Sequence, residues 1–549
     1  MRLFDMTKGR LRTLLAQAGG AVAVSALIAG CGNNYRPVVQ PITPSGPAAQ
    51  PQSYAIVVST TGATTPGVVT IIDYSGDSVM AIAPIGVGPI AFTIDAVGAN
   101  GYTVNSNGTL TNFPITTSLQ AKNILVSTLS ATAQLVNLMA PSSGLWAADL
   151  NGNLVDVSTG SPQTFKWQVP VSTMPVFVTG ASSANQREFV LSQNPEAQPG
   201  FASTTCNSAP SAVGENGVVT PIEPSYVADA AIGLDPFNAS NTAGGSTNAQ
   251  CPVFAVESSD QKRLFVLNRG SDTVSVINVQ DNTLDQCTPF LNQSGQTVTC
   301  HPILPLSTTA IANLKAASTS TGITTVPTAP PNGTAGMTAI AGPVDAEYNQ
   351  TTSQLVVANY DGGTITVIDV SLDEYGNDSS TFGTTYTIPV GTIGNTANPP
   401  MPASVTVLAD GSKAYTANQG DCSPDCTTSQ NGTVSVVNLS THTLEKTLPV
   451  VGYPRTVLNT QNSEYDKVYV ASPNSPFVTI IETTPTQIDV IDTTLLVEGN
   501  GVVDLRTTTQ TGSSGNNNYM SRVPGYGQPC NLPGSSQTDS LTDCRAIQY

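Results

Sequence analysis

Short stretches in which apolar and polar residues alternate recur along the chain from Tyr54 onward. One copy begins at Leu264 and reads Leu-Phe-Val-Leu-Asn-Arg-Gly-Ser-Asp-Thr-Val-Ser-Val-Ile-Asn-Val, and a second copy begins at Leu355. Each copy predicts a strand, a turn that carries Asn, Asp or Gly, and a second strand that alternates Val or Ile with Thr or Ser. The turn residues tolerate positive φ, as a tight hairpin requires. We expect hairpins with one buried face and one polar face.

A third strand follows each hairpin, as at residues 385–390 and 443–450, and a proline then introduces a fourth strand. The prolines in this position are Pro89, Pro175, Pro252, Pro343, Pro402 and Pro454. Units of four short strands spaced about 40–50 residues apart are typical of β-propeller blades. A β-sandwich would have similar strands, but it would not repeat one motif at a near-constant period. The predicted fold class is therefore an all-β propeller of four-stranded blades.

The paired middle strands occur in eight copies, with seven strands of the proline-led kind between them; six begin with the prolines named above, and the strand at residues 134–139 lacks the proline. The copies begin near Tyr54, Tyr102, Trp146, Phe189, Phe265, Leu355, Tyr415 and Val468. The propeller, residues 54–510, therefore begins within a blade, and the missing strand must come from the other end of the chain. We expect residues 501–506 to complete the first blade and close the ring. The count favours eight blades; seven is the alternative if one faint copy is misread.

Several of these runs carry a recognisable motif. Val468-Tyr-Val-Ala-Ser, Ala414-Tyr-Thr-Ala-Asn, Thr433-Val-Ser-Val-Val-Asn and Leu448-Pro-Val-Val-Gly-Tyr-Pro resemble the repeat of the YVTN family of β-propellers. The resemblance is good over about residues 253–484 and faint over about residues 54–194. It implies a protein of the cell surface or the periplasm. Long insertions at about residues 194–250 and 280–340 depart from the family pattern, so any ligand site of the family is in doubt there.

The first 53 residues have a different character. Basic residues precede an apolar stretch at residues 14–29, which is the layout of an export signal and is too short for a comfortable membrane span. Small residues before Cys31 resemble a bacterial lipoprotein signal, in which this cysteine is lipidated; an ordinary signal peptide is the alternative. We expect residues 1–30 to be the signal peptide and the proline-rich residues 31–53 to be a tether. Gly32 favours the outer membrane, on a side that the sequence does not define.

Eight further cysteines agree with export to an oxidising compartment. Pairing of nearest neighbours would join Cys206 with Cys251, Cys287 with Cys300, Cys422 with Cys426, and Cys530 with Cys544. Each pair would close a polar insertion, and the last pair would lie in a polar C-terminal tail, residues 511–549. Eight cysteines allow many connectivities, so this pairing is a hypothesis.

The chain is acidic but carries few charges overall. Charged residues make up 10% of it, against about 25% in an ordinary globular protein. The chain has 19 Lys and Arg against 37 Asp and Glu, with no basic cluster. This balance argues against nucleic acid or anionic lipid head groups as partners. We expect the lipid on Cys31 to be the contact with the membrane. An envelope protein or a polysaccharide is the expected partner, and the protein is expected to be a monomer.

Few residues suggest catalysis. His301 and His442 are the only histidines; we expect the first to be structural and the second to lie in an exposed turn. Two histidines give little basis for haem ligation, a His-rich metal site or a Ser-His-Asp triad, and nucleotide binding has no supporting motif. No catalytic or metal-binding residue is therefore assigned. Calcium prefers oxygen ligands, and the acidic pairs that could contribute to a calcium site, if they are not simply turn residues, are Asp361 with Asp369 and Asp489 with Asp492.

Polar residues that follow the first strand of each strong copy are candidates for a ligand face. They are Asn268, Arg269, Asn359, Tyr360, Asn418 and Gln419. Equivalent positions in a propeller lie around one face, where amides, an Arg and a Tyr suit a polar polymer or a protein loop. The alternative is that each Asn caps its own turn.

Two functional hypotheses remain. The first is a membrane-anchored, non-enzymatic binding or scaffold propeller of the bacterial envelope, which the lipid anchor, the disulfide-clasped repeat and the lack of a catalytic constellation favour. The second is a metal-assisted, lactonase-like propeller hydrolase. It is motivated by the surplus of acidic residues and by analogy with propeller hydrolases, so it rests on fold analogy alone.

Overall fold

The computed structural model describes residues 53–129, 133–141, 144–150, 152, 154–159, 164–180, 187–193, 217–238, 248–392, 400–420, 431–461, 467–483 and 488–508. All of them belong to the second of two units, Met1–Gln52 and Ser53–Tyr549. The predicted signal peptide (residues 1–30), Cys31 and the predicted tail (residues 511–549) lie outside the described residues.

Antiparallel strands that follow one another along the chain form each sheet. The strands of the first four sheets are β1 (Tyr54–Thr60), β2 (Pro66–Asp73) and β3 (Ser78–Val87); β4 (Pro89–Ile94), β5 (Asn100–Asn105), β6 (Thr109–Pro114) and β7 (Leu125–Thr128); β8 (Leu135–Met139), β9 (Leu145–Asp149), β10 (Leu154–Thr159) and β11 (Thr164–Pro170); and β12 (Pro175–Gly180), β13 (Glu188–Ser192), β14 (Val218–Glu223), β15 (Val227–Ala228) and β16 (Ile232–Gly233). In the fourth sheet, β15 and β16 share the outer position.

The next four sheets repeat this order. Their strands are β17 (Pro252–Glu257), β18 (Arg263–Asn268), β19 (Thr273–Asn278) and β20 (Thr283–Leu284), with a separate hairpin of β21 (Phe290–Leu291) and β22 (Thr297–Val298) before β23 (Ile303–Pro305); β24 (Pro343–Asn349), β25 (Gln354–Asn359), β26 (Thr364–Asp369) and β27 (Thr385–Pro389); β28 (Pro402–Val407), β29 (Lys413–Asn418), β30 (Asn431–Asn438) and β31 (Thr443–Val451); and β32 (Thr456–Asn459), β33 (Lys467–Ala471), β34 (Phe477–Glu482) and β35 (Val490–Leu496). In the fifth sheet, β20 and β23 share the outer position.

The last strand, β36 (Gly501–Thr507), pairs antiparallel with β1 and completes the first sheet. The innermost strands then contact one another around a closed ring in the order β36, β4, β8, β12, β17, β24, β28, β32 and back to β36. The described residues thus form eight blades, numbered here from the blade of β1. The predicted eight-bladed ring, closed by a C-terminal strand, is confirmed.

A bulge marks the start of most inner strands. The register with the second strand shifts between Pro89 and Ala91, and equivalent shifts follow Pro175, Pro252, Pro343 and Pro402. Proline has no N–H to give to a strand ladder, so it is tolerated at such an edge. The bulge bends each inner strand where it enters the ring.

The expectation of one polar face is wrong for the middle strands. Ser275, Thr366 and Ser435 are fully buried, although they alternate with buried apolar residues. The reason is that each blade packs between two neighbours, so both of its faces are covered. The alternation survives on outer strands such as β35, where exposed and half-buried residues alternate.

Blade 5 carries the largest described insertion. A disulfide joins Cys287 to Cys300 across the β21–β22 hairpin, as predicted. Helix α1 (Thr308–Thr321), which the sequence did not reveal, begins at the N-cap Ser307 and ends at Gly322 in the left-handed conformation. The described part of the chain has no helix that is long and apolar enough to span a bilayer.

The other predicted disulfides are not described. Cys251 is disulfide-bonded as well, but its predicted partner lies outside the described residues. The remaining cysteines outside them are Cys206, Cys422, Cys426, Cys530 and Cys544.

Candidate functional site

The asparagines of the predicted ligand face end the second strand of their blades, and all three are fully buried. The Nδ2 of Asn268 donates to Thr273 Oγ1 (3.2 Å) and to Ser275 Oγ (2.8 Å). Asn359 and Asn418 bond the equivalent hydroxyls in their blades at 2.8–3.1 Å. Each amide therefore ties the second strand of its blade to the third, which is a structural use of these residues.

The side-chain oxygen of these asparagines is satisfied in some blades only. Thr416 Oγ1 donates to Asn418 Oδ1 at 2.9 Å. Asn359 has Val357 in place of that threonine, and none of the residues that the structure describes donates a hydrogen bond to its buried Oδ1. Asn268, which has Val266 at the same position, is in the same state. An unpaired buried acceptor costs about 1–3 kcal/mol.

Exchanging Thr and Val two residues before these asparagines is expected to change the free energy of unfolding in opposite directions. Thr416→Val should lower the free energy of unfolding by about 1–3 kcal/mol, since it leaves Asn418 Oδ1 unpaired. Val357→Thr should leave it unchanged or raise it by about 1 kcal/mol, because its hydroxyl can donate to Asn359. Val356→Thr is the matched control: this side chain is equally buried but points to the opposite face of the strand. Urea unfolding measures all three, and equal losses for Val357→Thr and Val356→Thr would contradict the assignment.

The other candidate residues form a line across blades 5, 6 and 7. Arg269 Nε lies 3.4 Å from Asp361 Oδ2, and its guanidinium lies over the ring of Tyr360, 5.5 Å from the centroid. The Tyr360 hydroxyl donates to Gln419 Oε1 at 3.2 Å. Arg269, Tyr360 and Gln419 are at most 4% exposed. They bind one another and join neighbouring blades, and the buried Gln419 amide nitrogen has no hydrogen-bond partner in the described ranges.

Polar side chains on the inner strands bridge blade 6 to blade 7 and blade 7 to blade 8. Asp345 Oδ2 accepts from the backbone N–H of Val405 at 3.0 Å, and Glu347 Oε2 accepts from that of Val407 at 3.1 Å. Ser404 Oγ accepts in the same way from Val457 N–H at 3.0 Å. These bonds satisfy the open edges of the inner strands, which otherwise present unpaired backbone groups. The carboxylates of Asp345 and Glu347 thus have a structural use.

These polar residues of the inner strands were not predicted from the sequence. The signal was present in the proline-led strand that begins at Pro343, which reads Pro-Val-Asp-Ala-Glu and places acidic residues at alternate positions. Acidic residues are uncommon in strands, and two on one face of an inner strand indicate a specific bonding role.

One buried carboxyl pair forms no ion pair with any Lys, Arg or His in the part of the chain that the structure describes. Glu188 and Glu257 belong to neighbouring blades 4 and 5 and are both buried. Burial, with a smaller effect of Asp260, raises the pKa of Glu257 to about 8. Burial and the charge of Glu257 raise the pKa of Glu188 well above its ordinary value, and the Oε2 of Glu188 is buried with no hydrogen-bond partner among the described residues. At neutral pH, Glu257 therefore carries a proton.

Three of the four aspartates considered for calcium already bind other groups of the protein. Asp361 is held by Arg269, whereas Asp369 lies at the far end of β26 and accepts from Ser371. Asp489 is bonded to Lys413 and Tyr415.

Asp492 lies with Asp77 and Glu482 in a group of carboxylates close enough to hold a metal ion. The ammonium of Lys467 already contacts two of them, at 2.5 Å from Asp77 and 3.4 Å from Glu482. A divalent ion at this position would have to displace the ammonium group.

Lys467 belongs to a recurrent ion pair between blades. Lys413 and Lys467 begin the second strands of blades 7 and 8, and each pairs with an aspartate, Asp489 or Asp77, in the turn before the outer strand of the next blade. Arg263 begins the second strand of blade 5 and pairs with Asp378 of blade 6 at 3.1 Å. Sequence reasoning missed these pairs because their members come from different repeats.

Around Arg263, further ionisable side chains join the ion pair between blades and form a buried cluster. Arg263 Nη2 also lies 3.3 Å from Asp285, and His301 Nδ1 lies 2.8 Å from the other oxygen of Asp378. Burial, and then the neighbouring Asp378, raise the pKa of Asp285 to about 7. Asp285 lies just before and His301 just after the segment that the Cys287–Cys300 disulfide closes. The disulfide therefore holds both residues close together beside blade 6. His301 is thus buried in an ionic cluster.

The other histidine lies in a turn, as expected, but it is half-buried. The ring of His442 stacks on Tyr386 of the preceding blade, with the centroids 3.5 Å apart. Burial lowers the pKa of His442.

Eight blades around a ring of inner strands define this protein as an eight-bladed β-propeller. No family model and no curated protein match the sequence. Among solved structures, the periplasmic gluconolactonase PpgL of Pseudomonas aeruginosa is 14% identical, covering 83% of this chain and 98% of its own, with a TM-score of 0.44. Apo AztD from Citrobacter koseri is 12% identical over 83% of this chain and 98% of its own, with a TM-score of 0.46. The assignment to the propeller class rests on the strand pairings of this chain.

Proposed function

We propose that the protein is a non-catalytic binding propeller of the bacterial envelope, held at the membrane by a lipid on Cys31. The observation that carries the proposal is the use of the inner-strand acids: Asp345 and Glu347 accept backbone N–H groups of the next blade. Acids that hold the ring together are not free to bind a metal ion or to move protons during a reaction. The partner is an envelope protein or a polysaccharide.

The sequence supports the location of this function. The export signal, the small residues before Cys31 and the resemblance to YVTN repeats all favour an envelope protein, and Gly32 favours the outer membrane. Replacing Cys31 by Ser should release the protein from the membrane fraction, because the lipid is its anchor in this proposal. Cell fractionation followed by immunoblotting measures the release. Retention of Cys31→Ser in the membrane fraction would contradict the anchor.

A metal-assisted, lactonase-like hydrolase is the second candidate, and one observation favours it. Within the described part of the chain, Glu188 and Glu257 are buried and interact with each other, no basic side chain pairs with them, and one oxygen of Glu188 lacks a hydrogen-bond partner. A divalent ion bound there would displace the proton of Glu257 and neutralise the two carboxylates.

Metal analysis separates the two functions. We expect the purified full-length protein to contain no stoichiometric divalent metal, and its melting temperature to be unchanged by EDTA. Crosslinking in intact cells should then recover an envelope partner. A stoichiometric metal, whose removal lowers the melting temperature and abolishes hydrolysis of a lactone, would contradict the binding function and favour the hydrolase.

A further inference from the structure

The blades repeat one strand order, so turns of the same kind lie on the same face of the ring. The second strand of blade 1 begins at Tyr54, opposite Asp73, the last residue of the third strand. Beside it, the N–H of Thr508 donates to the Tyr54 carbonyl at 2.9 Å, just after the end of β36. The predicted tether therefore joins the ring on the face where second strands begin and third strands end, which we call the entry face.

The β21–β22 hairpin also lies on the entry face. It belongs to the connection between β19, the third strand of blade 5, and β23 in the outer position. Its Phe290 is 42% exposed and its Leu291 is 69% exposed. Successive side chains of a strand point to opposite sides, so apolar groups face solvent on both sides of the hairpin.

This hairpin is held in place although its apolar side chains are exposed. The Cys287–Cys300 disulfide closes its base. Asn292 Nδ2 donates to Asp373 Oδ2 of blade 6 at 3.2 Å, and Ser294 Oγ donates to Glu374 Oε1 at 3.2 Å. The two exposed apolar residues are therefore presented to the surroundings by a supported element.

Other exposed apolar side chains share this face. Tyr375 lies next to the hairpin, with its hydroxyl 3.4 Å from Ser294 Oγ, and its side chain is exposed. Val97, in the connection from β4 to β5, and Ile488, before β35, are also exposed on the entry face. Among the described connections on the opposite face, none exposes a large apolar side chain. In the connections, exposed apolar groups thus mark the entry face.

The chemistry of the hairpin suits a lipid surface. Residues 286–300 contain no Asp, Glu, Lys, Arg or His, in a chain with 37 Asp and Glu. Aromatic and leucine side chains are typical of segments that enter the boundary between lipid head groups and acyl chains. A fluid bilayer can surround both sides of a projecting hairpin. Glu374 is exposed beside the turn and would be repelled by anionic head groups, so the surface that fits is zwitterionic.

We propose that the β21–β22 hairpin inserts Phe290 and Leu291 into the zwitterionic lipid surface to which Cys31 anchors the protein. The chain from Cys31 to Tyr54 spans at most about 80 Å when fully extended, so the ring stays close to this surface. The entry face meets the bilayer without the chain passing round the ring, and the opposite face, which carries α1, is turned away from the membrane. This inference rests on the lipid anchor of the proposed function and adds the orientation of the ring.

Fluorescence quenching by brominated lipid tests this orientation. The full-length protein, lipidated on Cys31, is reconstituted into phosphatidylcholine vesicles with and without bromine on the acyl chains. Leu291→Trp places a reporter in the hairpin, and we expect bromine to reduce its fluorescence about twofold or more, because this side chain lies among the acyl chains. The matched control is Leu496→Trp, since Leu496 is 61% exposed and ends β35 on the opposite face. Its fluorescence should not change. The unmodified protein supplies the background of the two native tryptophans.

Flotation of the same vesicles separates this inference from the anchor. Protein that floats with the vesicles but shows no quenching of Leu291→Trp, or equal quenching of Leu291→Trp and Leu496→Trp, would overturn the inference and leave the anchor intact. Protein that does not float would overturn both. Phe290→Trp is a second reporter that keeps an aromatic ring and should be quenched like Leu291→Trp; quenching of only one of them would contradict insertion of the hairpin. Circular dichroism checks that each variant is folded.

Discussion

A chain that ends before Gly501 is expected not to reach a stable folded state. It lacks β36, which forms the inner strand of blade 1 and contacts both β4 and β32. Val502 and Leu505 are buried on this strand, and each would contribute about 1.5–3 kcal/mol. The lost ladder to β1 adds about 1 kcal/mol for each hydrogen bond. Together these losses approach the whole stability of a typical domain, about 5–15 kcal/mol.

The matched control is a chain that ends at Thr508, which keeps β36 and removes only residues 509–549. We expect this chain to show a cooperative urea transition by circular dichroism, whereas the shorter chain should be digested rapidly by a nonspecific protease. If the shorter chain melts and resists proteolysis like the control, the ring does not depend on β36.

Glu257→Gln is expected to stabilise the protein at pH 8 by several kcal/mol relative to its effect at pH 4. The pKa of Glu257 is about 8 when folded and about 4.3 when unfolded. A carboxyl whose pKa is raised on folding contributes stability below its unfolded pKa and loses it as the pH rises toward the folded value. Each pKa unit corresponds to about 1.4 kcal/mol. Glutamine has the shape of the protonated form and cannot ionise, so the variant escapes the loss.

The measurement is the difference in unfolding free energy between the variant and the unmodified protein at pH values from 4 to 8. In this difference, the pH-dependent contributions of the other acidic groups cancel. Glu188→Gln should change in the same direction, since the pKa of Glu188 is also raised by burial. Glu498→Gln, in an exposed turn, is the control and should give a flat difference. A flat difference for Glu257→Gln as well would show that this carboxyl is paired or solvated when folded.

The blades could be predicted from the sequence because their signals are local. All eight predicted copies begin in the second strands of their blades, from Tyr54 in β1 to Val468 in β33. Alternating residues, turn residues and a leading proline lie within one repeat and need no tertiary context. The closing strand followed from counting, since one blade lacked a member.

The contacts between blades could not be predicted in the same way. Arg263 and Asp378 are 115 residues apart, and Asp345 and Val405 are 60 apart, so only the ring brings them together. The burial of Ser275 on a strand face that looked polar has the same origin. Helix α1 was missed because Ala, Ser and Thr dominate it and give no apolar period.

The closing strand also fixes when the protein can finish folding. Since β36 lies almost at the end of the described chain, β1 is synthesised about 440 residues before its partner. At the synthesis rate of about 5–20 residues per second, this gap lasts about 20–90 s. Throughout that time the first blade has an open edge that can pair with a foreign strand. A chaperone that covers this edge of β1 would keep it from pairing with a foreign strand until β36 is made.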